Sequence, residues 1–144
     1  MKKTIFYEKI LNFLIKKGKK LKALKILKRL FLLLRKRYGN SISILFIKII
    51  TPLTVGFEAR TIRIWGKTHL VPFITKPSRR TFLAVKWYVN SAKKDPRKTD
   101  MANKLFGESI NILKKLNSKS KALMSKKLNN LQAISNASNS HFRW

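Results

Sequence analysis

Carboxylates are what this 144-residue chain has least of: Glu8, Glu58, Asp95, Asp100 and Glu108 stand alone against 34 Lys and Arg, for a formal net charge of +29. No acid falls between Glu8 and Glu58. Self-repulsion on this scale destabilises an isolated compact chain, so an anionic partner is expected, either nucleic acid or an anionic membrane surface. Cysteine is absent, which excludes a disulfide framework and thiolate chemistry. A metal site would have to be assembled from His69, His141 and the few acids, so neither a metal nor any other cofactor is expected. Catalysis fails on the same ground, because two histidines and five scattered carboxylates supply no nucleophile, base and orienter set. The longest apolar stretches, Leu30 to Leu34 and Ile42 to Ile47, fall far short of the roughly 20 residues that span a bilayer. Met1-Lys2-Lys3 is followed by a short apolar stretch soon broken by Glu8 and Lys9, unlike a signal peptide, and lacks the Arg-rich, Ser-rich composition of an import sequence.

What is present is enough apolar material to fold: 44% of residues are hydrophobic and 10% aromatic, which separates the chain from a disordered basic tail. The patterning predicts a mainly α fold in one domain over 1–144, six helices with a two-stranded β-ribbon inserted between the third and fourth. Helices are expected at about 4–17, ending at Gly18, and at about 19–38, where Leu21, Leu24, Leu27, Leu30, Phe31 and Leu34 form the apolar stripe. Gly39-Asn40 stops the second, and a third is expected at about 41–50 with Ser41 as N-cap, although its many isoleucines also suit a strand. From about 53 to 75 the period changes to two. Val55, Phe57 and Ala59 alternate with Glu58 and Arg60, while Ile62 and Ile64 fall on the opposite parity, which predicts a bulge near Thr61. Gly66 suits a type II′ hairpin turn, and Pro72 is tolerated because each strand of a ribbon has a free edge. Helical spacing returns at about 78–94 with Phe82, Val85, Val89 and Ala92, at about 99–116 up to Asn117-Ser118, and at about 119–137 with Met124, Leu128, Leu131 and Ile134.

Gly66-Lys67-Thr68 is a turn and not a phosphate loop, since position 61 is Thr where that motif needs Gly and the flanks read as strands. On the second helix Lys22, Lys25, Arg29 and Lys36 recur on the face away from the apolar stripe with no acid to pair them, as phosphate neutralisation requires. A cationic helix lying on a membrane is the rival reading, and non-specific nucleic-acid binding a third. Against the membrane, the basic excess continues through the ribbon and the fourth helix. The ribbon carries Arg60, Arg63 and Lys67 with Trp65 near its tip, and a two-stranded arm buries too little surface to exist for stability alone. Ser78-Arg79-Arg80 opens a helix, where backbone N–H groups already favour an anion. Trp87 and Tyr88 read as core, His69 as a strand side chain, and His141 to Trp144 as a packed or RNA-touching terminus.

Several fragments, in order, resemble one family over nearly the whole chain. They are Gly18-Lys19-Lys20, a Pro52-led ribbon turning at Gly66 and closing with Val71-Pro72, Lys76-Pro77-Ser78-Arg79-Arg80, Leu83-Ala84-Val85-Lys86-Trp87, Met101-Ala102 and His141-Phe142-Arg143-Trp144. The chain is similar to the universal small-subunit ribosomal protein seven family. The resemblance implies a structural RNA-binding protein that organises the head of the small subunit on the 3′ domain of its rRNA, beside other head proteins. It also implies a ribbon near the mRNA path and the exit-site tRNA, which assigns that contact to Arg60, Arg63, Trp65 and Lys67. The positions facing rRNA would be Lys16, Lys17, Lys19, Lys20, Lys76, Arg79, Arg80, Lys86 and Arg143, joined by Lys22 of the basic stripe. Departures from the family pattern are Lys16-Lys17 in place of an apolar-acidic pair, a longer first ribbon strand, and the expected lack of a basic N-terminal extension and a C-terminal tail. Abundant Lys, Ile, Asn, Phe and Leu beside five Gly and four Pro fit an A+T-rich gene, so an organelle is expected, the mitochondrion before the plastid.

Overall fold

The computed structural model describes residues 3–39, 41–114 and 119–143. Six α-helices are present among them: α1 Lys3–Leu14, α2 Lys20–Tyr38, α3 Ile42–Ile50, α4 Pro77–Lys93, α5 Met101–Leu113 and α6 Lys121–Ser135. Between α3 and α4 lies an antiparallel ribbon, β1 Phe57–Ile64 and β2 Lys67–Ile74. Short 3-10 turns cover Thr51–Leu53 and Ala137–Phe142. The layout is the mainly α fold with an inserted hairpin that the sequence patterning predicts. Asn40, the expected end of the fifth helix at Leu116 to Ser118, Trp144 and the side chain of Ile5 lie outside the described residues.

The core is built by α4, which packs against α1, α5 and α6. Its buried positions, among them Leu83, Ala84, Val85, Tyr88, Val89 and Ala92, cover more than one helical stripe, as a central helix requires. Pro77 sits in its first turn, where the missing N–H has no helical partner to lose. Tyr88 is fully buried and shares a hydrogen bond of 2.7 Å between its hydroxyl and Ser109 Oγ, 3.2 Å from the Leu105 carbonyl oxygen that it also donates to. Burial pushes its pKa up, so the phenol stays neutral and both of its ends are satisfied. On α2 the buried residues are Ala23, Leu27, Leu30 and Leu34, spaced i, i+4, i+7 and i+11. Each fully buried leucine of this kind contributes about 1.5–3 kcal/mol.

Several expectations are corrected. Helix α1 ends at Leu14 and not near 17, because Lys17 and Gly18 both adopt positive φ, 49° and 69°, and turn the chain into α2. Leu21 is exposed and Ala23 takes its place in the core, since Ala23 and not Leu21 lies one helical turn before Leu27. Helices α5 and α6 begin at Met101 and Lys121, each two residues later than expected, and α6 gives way to the 3-10 turn after Ser135. Ser41 precedes α3 but makes no side-chain cap; Ser120 does cap α6, accepting from the Leu123 N–H.

The ribbon has no bulge: pairing runs unbroken from Phe57 opposite Ile74 to Ile64 opposite Lys67. Its turn is the two residues Trp65 and Gly66, both at positive φ (45° and 79°), which is the I′ signature and not II′. The change of parity has another cause. The buried residue of β1 is Glu58, while Phe57 is 49% exposed, so Ile62 and Ile64, both half-buried, keep the parity of Glu58. The apolar stripe of α6 is corrected most: Met124, Leu128, Leu131 and Ile134 are all exposed. The helix instead docks through Ala122 and Ala133, a Lys126 Nζ donation to the Pro52 carbonyl at 2.6 Å and an Asn129 donation to the Phe57 carbonyl at 2.9 Å.

Candidate nucleic-acid interface

Four of the five acids are engaged within the chain, and two of them, Glu58 and Glu108, are buried. Glu58 lies in the seam between the ribbon and α4, where Arg79 grips it through both edges, Nη2 to Oε1 at 2.6 Å and Nε to Oε2 at 3.1 Å. Arg60 closes on the same Oε2 from its own strand, at 3.0 and 3.2 Å. Hydrogen bonding to Arg79 holds the Glu58 carboxyl below its ordinary range against the opposing effect of burial, and the same bond raises Arg79. Both guanidiniums are further fixed over rings, Arg79 above Phe82 at 4.9 Å and Arg60 above Phe73 at 5.3 Å. The sequence therefore grouped two of its expected RNA contacts around a carboxylate that no pattern marked.

Three other acids also find partners within the chain. Glu108 is buried and accepts from Ser120 Oγ at 2.7 Å and the Ala122 N–H at 3.0 Å, placing a negative charge at the start of α6 where the helix dipole favours it. Asp100 pairs with Arg29 at 3.0 Å. Asp95 binds Arg97, which lowers its pKa to about 2.

Most of the lysines expected to contact RNA are left outward. Lys16, Lys17, Lys19, Lys20 and Lys22 ring the α1–α2 turn, all exposed and none in an ion pair. At the ribbon tip Arg63 and Lys67 are exposed and Trp65 is 96% exposed, with no stacking partner. Lys76 at the head of α4 and Lys86 along it are exposed. Arg80 is half-buried and donates from Nε to the Thr75 carbonyl, which fixes its stem beside that helix start. Arg143 donates from Nε to the Pro72 carbonyl, so the terminus folds onto the ribbon, where Phe142 stacks on His69 at 5.3 Å. His69 is thus a packed strand side chain. Trp87 is half-buried against the core, yet it also lines a groove between α4 and α6 with Lys86, Lys94, Lys121 and Leu128. Among the described residues there is no cluster of three potential metal ligands and no helix long and apolar enough to cross a membrane.

This division, four of five acids engaged within the chain and a larger set of unpaired bases left exposed, fits a protein that coats a polyanion. A family profile described as ribosomal protein S7p/S5e matches residues 1–137. The chain belongs to the ribosomal protein S7p/S5e family. It is similar to the small ribosomal subunit protein uS7 of Syntrophus aciditrophicus, 37% identical over 108 residues that cover 75% of this chain and 69% of that protein. Similarity to the uS7 of Rubrobacter xylanophilus, at 28% identity, covers 98% of this chain and 88% of the relative. For Photobacterium profundum uS7 the identity is 31%, with coverage of 94% and 85%. Membership in the S7p/S5e family assigns a structural, non-enzymatic role in the small ribosomal subunit, in agreement with the missing catalytic groups.

Proposed function

We propose that this S7p/S5e-family chain binds the 3′ domain of small-subunit rRNA and organises the head of the subunit around it. The observation that carries the reading is the set of unpaired cations on the α1–α2 turn, the ribbon tip and α4, in a protein whose acids are nearly all engaged internally. Lys16, Lys17, Lys19, Lys20, Lys22, Lys76, Arg80 and Lys86 are the phosphate contacts, with Arg143 beside them at the folded-back terminus. Recognition is by shape and backbone, as is usual for folded RNA. Arg63, Trp65 and Lys67 reach toward the mRNA path and the exit-site tRNA, with Arg60 and Arg79 holding the ribbon at the angle that lets them do so. The exposed apolar face of α6, Met124 to Ile134, supports a protein neighbour in the head. The residue usage supports an organellar ribosome, mitochondrial before plastid.

Binding of the full chain to an isolated rRNA 3′-domain fragment tests this. Neutralising six to ten phosphates gives a slope of log affinity against log salt of about −5 to −9. A flat salt response contradicts the proposal. Sedimentation after detergent lysis separates the rival readings: co-migration with small subunits supports it, and recovery in the membrane fraction or equal affinity for unrelated DNA contradicts it.

A further inference from the structure

One feature of the basic surface is more than a charged face. Where α1 ends and α2 begins, the packing leaves an open cleft of about 380 Å³, within the size range of sites for small organic ligands. Its floor is apolar, made by Leu14, Ala23, Ile26 and Met101. Its rim is entirely cationic: Lys16, Lys17, Lys19, Lys22 and Lys93. Lys93 is tied to the Phe13 carbonyl at 3.0 Å, while the other four make no hydrogen bond or ion pair through their ammonium groups. Lys17 is held at φ 49°, a conformation unfavourable for a residue with a Cβ. The first turn of α2 has neither an acid nor a side-chain cap, so lysines sit at the end of the helix dipole that repels them. That arrangement is stabilised when an anion arrives. An all-anionic ligand would leave the apolar floor unused, and an all-apolar one would leave four ammonium groups without a counter-charge.

We infer that the cleft receives a single unstacked nucleotide of the bound RNA, its base in the apolar floor and its flanking phosphates on the lysine rim. A flat heteroaromatic ring carrying charge on its backbone side satisfies both halves at once, its face burying apolar surface against Leu14, Ile26 and Met101. The inference rests on the RNA-binding reading and adds to it a preference for RNA with an unpaired residue.

The test uses the full chain and two short RNA duplexes that differ only by one unpaired adenosine. Wild-type protein binds the bulged duplex about tenfold more tightly than the paired one, as expected for one base face buried against an apolar floor. Ile26→Trp, and independently Met101→Trp, fill the cleft and abolish the preference while leaving affinity for the paired duplex unchanged. The variant that keeps the wild-type melting temperature is the one to read. Lys19→Ala with Lys22→Ala weakens both duplexes. Equal, salt-sensitive binding of both RNAs by wild type, or a preference that survives both fillings, overturns the cleft's role and leaves the RNA-binding reading standing. Absence of binding to any RNA removes both. Uptake of a fluorescent fatty acid without discrimination between the RNAs also overturns the inference.

Discussion

The two ends of the β-ribbon are built on opposite principles. At its base, Glu58 is buried and held by four hydrogen bonds from Arg79 and Arg60, and Thr75 Oγ1 ties β2 back to the Val55 carbonyl at 2.8 Å. At its tip, Trp65 has almost its whole surface in water, in a backbone conformation that costs about 1 kcal/mol for a residue with a side chain. The base uses charge to fix geometry, and the tip leaves charge and an aromatic ring unsatisfied. A basic residue's role therefore depends on whether a carboxylate lies within reach, which neither its identity nor its position in a motif reveals.

Glu58→Ala is the largest expected break in this contrast. It leaves two guanidiniums without their counter-charge and lowers stability by about 2 kcal/mol, less than for a fully buried pair because both arginines keep water contact. Thermal or urea unfolding measures it. The matching tip variant, Trp65→Ala, leaves stability nearly unchanged but weakens RNA or tRNA contact by about 1–3 kcal/mol if the ring stacks on a base; filter binding with an exit-site tRNA fragment would separate the two.

Acid sharpens the comparison further. The folded-state pKa of Glu58 lies below its ordinary 4.5, so its contribution to stability is complete above that value and fades as pH falls through the depressed folded-state value. Unfolding free energy should fall as pH drops below 4.5, with a smaller drop in Glu58→Gln. Asp95, lowered from 3.8 to about 2, loses its contribution progressively across that interval. An identical pH profile for wild type and Glu58→Gln contradicts the base assignment. The smallest effect belongs to Trp65→Gly, which removes the left-handed penalty and raises stability by about 0.5–1 kcal/mol in the same unfolding assay.

Much of the fold was legible because periodicity and punctuation act locally. The leucine repeat, Gly39, Pro77 and the shift to a period of two marked the helices and ribbon in the right order. The misreadings of which face is buried share one cause. An apolar stripe states which face avoids water but not where the cover comes from, so the Met124 to Ile134 face was placed inward although nothing among the described residues covers it. Alternation along β1 pointed Phe57 inward because a carboxylate is expensive to bury; only the long-range partner Arg79, 21 residues away, makes Glu58 the inward residue. The candidate interface was legible as charge, and the lysines of the α1–α2 turn and the ribbon tip are indeed exposed. The cleft beneath those lysines was not, since it is formed by Leu14, Ile26 and Met101 from three separate helices.

The central claim, that the ribbon's base arginine fixes geometry while its tip meets RNA, is tested most directly by salt titrations of rRNA-fragment affinity for two variants beside wild type. Arg63→Ala with Lys67→Ala should make the slope of log affinity against log salt shallower by about two and leave the melting temperature unchanged. Arg79→Lys, which loses the two-edged grip on Glu58, should lower the melting temperature and leave the slope as it is. A slope that changes with Arg79→Lys and not with the tip pair would contradict the account.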